Sequence, residues 1–343
     1  MTLMSALAML GALVLAAVVA HGAWSARKAS PRQAEAPNAD PRREPSMAAA
    51  DAAPAEAAAP PELPAAPPRR GAQLDPLIDA IVPVLLEQPV SGEMALMHMP
   101  PTRRAGTKPL LIEGLNAATG EWEFPLPGQR YAEVQAGAQM ANRSGALNPI
   151  EYSEFVQKLQ PLADALGAML EPPEMGEVVA RAKELDAFAS AHDAQLAITL
   201  RANAAAWSVG YIQQCAGRHG FVPGVLPGRL VLPSPDDGAP PVLVLSFSPQ
   251  AALADDPNVS AVREVTLALD VPQTPQSAEP FPAWLDAARA LAADMDATMI
   301  DDQGRLITLH AFADIGNDLA KLYRALDERD LAAGSAVARR LFS

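Results

Sequence analysis

The tract from Ala34 to Pro68 limits the possible folds of this chain most, because about two-thirds of its residues are alanine or proline. Proline interrupts helices and central strands, and a tract of this composition cannot bury enough apolar surface to fold. We therefore predict a disordered, semi-extended linker over residues 25–72, whose full reach is at most about 150 Å at roughly 3 Å per residue. Folded domains are expected only in residues 73–343.

The segment that precedes this tract, residues 2–24, contains no Lys, Arg, Asp or Glu. About 20 such residues in a helix cross the hydrocarbon core of a bilayer, and Trp24 suits the membrane interface. A secretory signal peptide is the alternative, but it would carry basic residues before the apolar run, whereas Arg27, Lys28 and Arg32 follow it. The positive-inside rule then predicts a single-pass helix with its N-terminus periplasmic and the rest of the chain cytoplasmic.

Charge and motifs exclude several function classes. The formal net charge of −14 argues against nucleic acid, because Lys and Arg supply most of that affinity. The five histidines lack the spacing of a zinc site, and the sequence has no phosphate-binding glycine loop or nucleophile elbow. With Cys215 as its single cysteine, the chain cannot form an intrachain disulfide. We expect no nucleic acid partner, no small-molecule substrate, no metal or other cofactor and no catalytic residue.

Residues 194–332 have the pattern of an α+β domain. Residues 195–202 alternate apolar and polar side chains, as a half-buried strand does, and residues 207–220 have helical spacing that ends at Gly220. The further elements, in order, are strands near 229–233, 240–249 and 262–272, a helix and strand over 281–300, and an amphipathic helix over 312–330. This order predicts an antiparallel sheet with helices on one face, of the split β-α-β type, followed by a tail over 333–343.

Residues 73–193 repeat this order loosely. Residues 130–145 precede a helical pattern over 149–168, as residues 262–276 precede the one that starts at 281. A further helix over 174–191 then takes the place of the one over 312–330. Since residue identity between the halves is low, two interpretations stay open: tandem α+β domains, or one extended domain with an unrelated N-terminal part.

Two adjacent carboxylates, Asp301 and Asp302, raise the question of catalysis. Successive residues of a strand point to opposite faces, and no His or Lys partner is near them in sequence. Asp, Gln and Gly between two apolar runs are typical of a turn in which Gly304 adopts a positive φ. We predict a turn.

Three segments of the second half carry a family resemblance. They are GFVPG at 220–224, VTLALDVP at 265–272 and ATMIDDQGRLIT at 297–308, and they resemble strand ends and a turn of the ZipA family. Members of this family are membrane-anchored bacterial cell division proteins whose C-terminal domain binds FtsZ. The resemblance covers residues 195–330, whereas residues 73–193 depart from it, since the best-known members have one globular domain.

The resemblance implies that the helix-free face of the sheet receives the C-terminal tail of FtsZ by hydrophobic docking. Strand alternation directs Leu196, Ile198, Leu200, Val265, Leu267 and Leu269 inward. The side chains that we expect on the peptide-binding face are Ala197, Thr199, Arg201, Leu230, Leu232, Val244, Phe247, Thr266 and Ala268. Val244 and Phe247 are alternatives, because a one-residue shift in register exchanges them. At Ala268 the family can present a large aromatic residue instead.

The resemblance thus implies a non-enzymatic tether of the bacterial inner membrane, located at the division site, that links FtsZ polymers to the bilayer. Two alternatives stay open. A membrane-anchored hydrolase would use carboxylates from Asp301, Asp302, Asp314 or Glu279. A periplasmic envelope scaffold would result if the apolar run were a signal or inserted the other way.

Overall fold

The computed structural model describes residues 31–34, 73–236, 238–254, 256, 260–307 and 309–343. The predicted transmembrane helix and most of the predicted linker lie outside these residues. No helix within the described ranges is both long and apolar enough to cross a bilayer. The described chain forms two compact units: a first domain that ends at Ala189, and a second domain of residues 190–343 together with the segment 31–34.

The first domain is built on an antiparallel sheet. Its strands are β1 (Asp79–Leu86), β2 (Val90–Ser91), β3 (Arg104–Ala105), β4 (Lys108–Asn116), β5 (Trp122–Glu123), β6 (Arg130–Gln139) and β9 (Ala168–Leu170). Strands β7 (Ala141–Asn142) and β8 (Gly145–Ala146) form a separate two-stranded sheet. The helices of the first domain are α1 (Gly92–Met97), α2 (Pro149–Leu166) and α3 (Met175–His192), the last of which leads into the second domain. The main strands follow the order β3-β4-β6-β1-β9.

The second domain has a six-stranded antiparallel sheet in the order β11-β12-β13-β14-β10-β15. These strands are β10 (Gln195–Ala202), β11 (Val222–Pro223), β12 (Arg229–Leu232), β13 (Leu243–Ser246), β14 (Glu264–Asp270) and β15 (Ala297–Ile300). The helices are α4 (Val209–Arg218), α5 (Pro249–Ala252), α6 (Pro280–Met295), α7 (Leu309–Asp327) and α8 (Ala336–Leu341), with a 3-10 turn at Gln276–Ala278. The predicted tail, residues 333–343, is thus partly helical. Leu341 and Phe342 at its end are buried.

The two sheets share one connectivity. In each, the first long strand (β1 or β10) lies between the strand before the long helix (β6 or β14) and the strand after it (β9 or β15). The next strand outward is β4 in one sheet and β13 in the other. The order of elements that suggested tandem α+β domains is therefore present in the three-dimensional pairing as well.

The long helices also end alike. Helix α2 begins with a capping box at Asn148 and ends at Gly167, whose φ is 62°. Helix α6 begins at Pro280 and ends at Asp296, whose φ is 53°. A left-handed residue reverses the chain directly after a helix, and in both domains the next residue starts the edge strand, β9 or β15.

The core of the second domain lies between its sheet and its helices. Ile198, Leu200, Val265, Leu267 and Leu269 are buried and Leu196 packs against them, as their alternation predicts. From the helices, Ile212, Trp284 and Leu319 join the same cluster. The Trp284 indole N–H also donates to the Leu267 carbonyl at 3.1 Å. The fold is mixed α+β, and the helices of this core pack on one face of the sheet.

Candidate functional site

The face of the second sheet that points away from this core is here called the outer face. Its centre is one row of apolar side chains across four strands, named the apolar row below. Strand pairing aligns Val231 with Val244, Val244 with Ala268, and Ala268 with Ala197. All four residues are half-buried or exposed. With strands about 4.8 Å apart, the apolar row is about 14 Å long.

Polar side chains border the apolar row on both sides. On one side the register aligns Arg229, Ser246, Thr266 and Thr199. The hydroxyl oxygens of Thr199 and Thr266 lie 3.4 Å apart. On the other side Asp270 pairs with Gln195. The outer face therefore presents a narrow apolar strip with a polar border along one side and, on β14 and β10, along the other, a pattern typical of a protein interaction site.

An ion pair lies one row further out. Arg201 Nε donates to Glu264 Oε1 at 2.7 Å, and both side chains are about half exposed. Such a surface pair contributes little to stability, because water and salt screen it. Either partner can therefore turn toward a charged ligand at low energetic cost.

Six of the predicted face residues lie on the outer face. They are Ala197, Thr199, Arg201, Val244, Thr266 and Ala268. Whether they contact a peptide stays a prediction.

The predicted outward orientation of Leu230 and Leu232 is wrong, and of the two alternatives Val244 and Phe247 the second does not face outward. Leu230 is only 3% exposed and belongs to the core, and Leu232 packs against that core. Their neighbours Arg229 and Val231 face outward instead, because β12 pairs with β13 so that Leu230 lies opposite the buried Leu245. Phe247 is also a core residue, so Val244 is the outward member of that pair. The charge of Arg229 was the available signal, since residues 229 and 231 share a face of the strand.

The first domain has a counterpart of the apolar row. There Ile81 aligns with Gly137, and Gly137 with Leu111. In the second domain Ala197, Ala268 and Val244 hold the corresponding positions, in that order. The glycine at the centre of this counterpart is covered by the chain itself, whereas Ile81 and Leu111 are half-buried. A Cβ atom added to Gly137 would overlap the side chain of Leu74, so Leu74 lies directly over the glycine.

Hydrogen bonds hold that covering segment in place. The Leu74 N–H donates to Glu113 Oε1 at 2.7 Å, and Gln135 Nε2 donates to Glu113 Oε2 at 3.2 Å. The Asp75 N–H donates to Asp79 Oδ2 at 2.8 Å. One leucine, with its backbone N–H bonded to a strand carboxylate, is thus accommodated on this kind of sheet face. Sequence reasoning missed Leu74, because the contact joins residues far apart in the chain.

The two adjacent aspartates form part of a turn, as predicted. The carboxylate of Asp301 accepts from the backbone N–H groups of Gln303 and Arg305 and from Arg305 Nε. These bonds, led by the one from the Arg305 backbone, lower the pKa of Asp301. Gly304 has a φ of 75°. This carboxylate stabilises the turn after β15.

The remaining carboxylates of the hydrolase alternative lie on separate elements. Glu279 is the residue before α6, and Asp314 lies in α7. Among the residues that the structure describes, no three His, Cys, Asp or Glu side chains are grouped so that they could hold a metal ion.

Comparison with known proteins adds no assignment: no family model matches the chain, and no curated protein matches its sequence. The resemblance to the ZipA family rests on the sequence segments quoted above.

Proposed function

We propose that the second domain binds the C-terminal tail of FtsZ on its outer face and that the protein links FtsZ polymers to the inner membrane without catalysing a reaction. The observation that carries the proposal is the apolar row, a strip of small and branched side chains on the face of the sheet opposite the core. A peptide that crosses the strands can bury its apolar side chains there, while its polar groups meet the bordering rows.

The first domain supports this mode of binding. Leu74 lies over Gly137, the counterpart of Ala268. The chain therefore already places one leucine side chain on the outer face of a sheet of this connectivity. In the second domain the corresponding residues are half-buried or exposed, so a leucine or phenylalanine of another chain can take the equivalent place.

The size of the apolar row suits a weak interaction. Full burial of one large apolar side chain contributes about 1.5–3 kcal/mol, and a micromolar complex needs about 8 kcal/mol in total. Association itself costs several kcal/mol, so two or three anchoring side chains would give a micromolar or weaker complex. Many such contacts along an FtsZ polymer would add up through the effective concentration that the linker provides.

The direct test is fluorescence polarisation of a labelled FtsZ C-terminal peptide, titrated with the full-length protein in detergent. We expect saturable binding that Val244→Glu weakens by at least about tenfold, because the carboxylate would be desolvated in the apolar row. Ile150→Glu is the matched control, since Ile150 is 80% exposed in the first turn of α2. Equal affinity of both variants, or no saturation with the unmodified protein, would contradict the proposal.

The proposal also requires that both domains are cytoplasmic. A reporter fused after Ser343 that is active only in the cytoplasm should be active, because the basic residues follow the apolar run of residues 2–24. Activity of a periplasmic reporter at the same position would exclude FtsZ as the partner and favour the envelope scaffold.

A further inference from the structure

A short segment from the predicted linker, residues 31–34, lies against the second domain. The Arg32 N–H donates to the Ala206 carbonyl at 2.6 Å, and the Ser208 N–H donates to the Arg32 carbonyl at 2.8 Å. Trp207, which lies between Ala206 and Ser208 in the chain, exchanges two backbone hydrogen bonds of 2.8 Å with Val262. Arg32 therefore adds a third strand position to a small ladder, beside Trp207.

The Arg32 side chain is recognised at several atoms. Nη2 donates to Asp296 Oδ2 at 2.8 Å and Nη1 to the Met295 carbonyl at 3.3 Å. A further hydrogen bond joins the guanidinium to Tyr211, and this bond is the main reason why the pKa of Arg32 is raised. A planar, permanently charged fork can satisfy such a set of acceptors, which a lysine ammonium cannot match.

The acceptors for Arg32 are fixed by the fold. Asp296 ends α6 in the left-handed conformation, and its other oxygen accepts from Asn203 Nδ2 at 3.0 Å. That bond, followed by the contact with Arg32, lowers the pKa of Asp296, so the carboxylate is charged at neutral pH. The Met295 carbonyl belongs to the C-terminal end of the helix, where a cation is favourable. The site that binds Arg32, formed by Ala206, Ser208, Tyr211, Met295 and Asp296, is called the groove below. It is suited to an arginine in an extended segment.

We propose that residues 31–34 dock into this groove of their own chain and act as a latch that shortens the connection between the membrane and the second domain. This consequence rests on the membrane anchor of the proposed function. From Trp24 to Arg32 the chain has about eight residues, which span at most about 27 Å when extended. The full linker could reach about 150 Å. With the latch closed, the second domain stays near the bilayer, and opening the latch lets it search a larger volume for FtsZ.

Docking within one chain is favoured over docking between two copies. The segment and the groove are joined by one chain, so the effective concentration of the segment is set by the connecting chain and does not fall when the protein is diluted. A second copy in solution would have to compete with that concentration.

The test uses the full-length chain in nanodiscs, without FtsZ. Hydrogen exchange of the Ser208 amide, which donates to Arg32, reports the latch. Energy transfer from a dye at Ser343→Cys to a lipid dye reports the distance to the bilayer; Cys215 is buried and will not be labelled under native conditions.

We expect Arg32→Glu to speed the exchange of the Ser208 amide about tenfold or more and to lower the energy transfer to the lipid dye, because the new carboxylate repels Asp296. Arg42→Glu, with the same change in charge, should alter neither.

Combining Arg32→Glu with Asp296→Arg should restore much of the protection at Ser208. Equal exchange in the Arg32→Glu and Arg42→Glu proteins would overturn the latch. Protection at Ser208 that increases with protein concentration would overturn docking within one chain. If transfer to the lipid dye is absent in every protein while Arg32→Glu still speeds exchange, the membrane anchor fails and the latch stands.

Discussion

The two domains share a connectivity but treat the same face of the sheet differently. In the first domain the glycine at the centre, Gly137, is covered by Leu74 of the same chain. In the second domain the matching residue is Ala268, half-buried on the apolar row. The comparison suggests that the architecture itself accepts an apolar side chain on this face. In the first domain a side chain of the same chain occupies the centre of this face. In the second domain this is the face on which we propose that a partner binds.

The largest effect should come from the buried aromatic residue of each long helix. Phe155 and Trp284 lie at equivalent places, each twelve residues before the left-handed residue that ends α2 or α6 (167 − 155 and 296 − 284). We expect Phe155→Ala and Trp284→Ala each to lower the free energy of unfolding of its own domain by about 3–5 kcal/mol. Hydrogen exchange resolved by peptide would measure this. If either substitution destabilised both domains equally, the picture of two separate cores would be wrong.

A smaller effect is expected where Leu74 covers the first sheet. Gly137→Ala places a methyl group where the Leu74 side chain lies, and we expect a loss of about 1–3 kcal/mol in the stability of the first domain. In a Leu74→Ala background the same substitution should cost much less, because the clash is gone. A double-mutant cycle from denaturant unfolding measures this coupling. Additive effects would show that Leu74 does not occupy this place in solution.

Ala268→Gly is the matched change in the second domain. It removes a methyl group from the apolar row and places a glycine in a strand, which costs about 0.5–1 kcal/mol. We expect it to weaken binding of the FtsZ peptide by a few-fold at most, because only one methyl group of contact is lost. Binding that improved by tenfold would indicate that the partner places a large side chain over position 268, as Leu74 does over Gly137.

Alternation along the sequence predicted much of this arrangement. The strand expected at 195–202 is Gln195–Ala202 in the structure, and its inward and outward sides are as predicted. Alternation succeeds there because one face meets the core and the other faces solvent. The prediction failed for Leu230 and Leu232, because their orientation was taken from the family resemblance, whereas alternation with the charged Arg229 favoured the opposite choice.

The contacts that sequence reasoning missed are long-range. The ion pair between Arg32 and Asp296 joins residues 264 positions apart, and Leu74 bonds to Glu113 across 39 positions. No local periodicity records such contacts, because they depend on where the fold brings two distant segments together. Strand β1, which carries Pro83 near its centre, was not among the predicted strands, and proline is depleted in central strands.

The smallest expected effect concerns the turn after β15, which distinguishes the second domain from the first. The pKa of Asp301 is lowered in the folded protein, first by the backbone N–H of Arg305. A carboxyl group whose pKa is lowered by folding stabilises the folded protein at any pH above its pKa in the unfolded chain, which is about 4. This contribution is lost as the pH falls through the pKa of the folded state. Asp301→Asn should therefore lower the stability slightly at pH 7, and the difference should vanish in strong acid.

Thermal unfolding of the second domain between pH 7 and pH 2 would measure this, with Asp302→Asn as the control for the loss of a neighbouring charge. Asp302 is exposed, so its substitution tests whether the loss of any charge in this turn has the same effect. A difference between Asp301→Asn and the unmodified protein that persisted at pH 2 would mean that the hydrogen-bond geometry of the side chain, and not its charge, stabilises the turn.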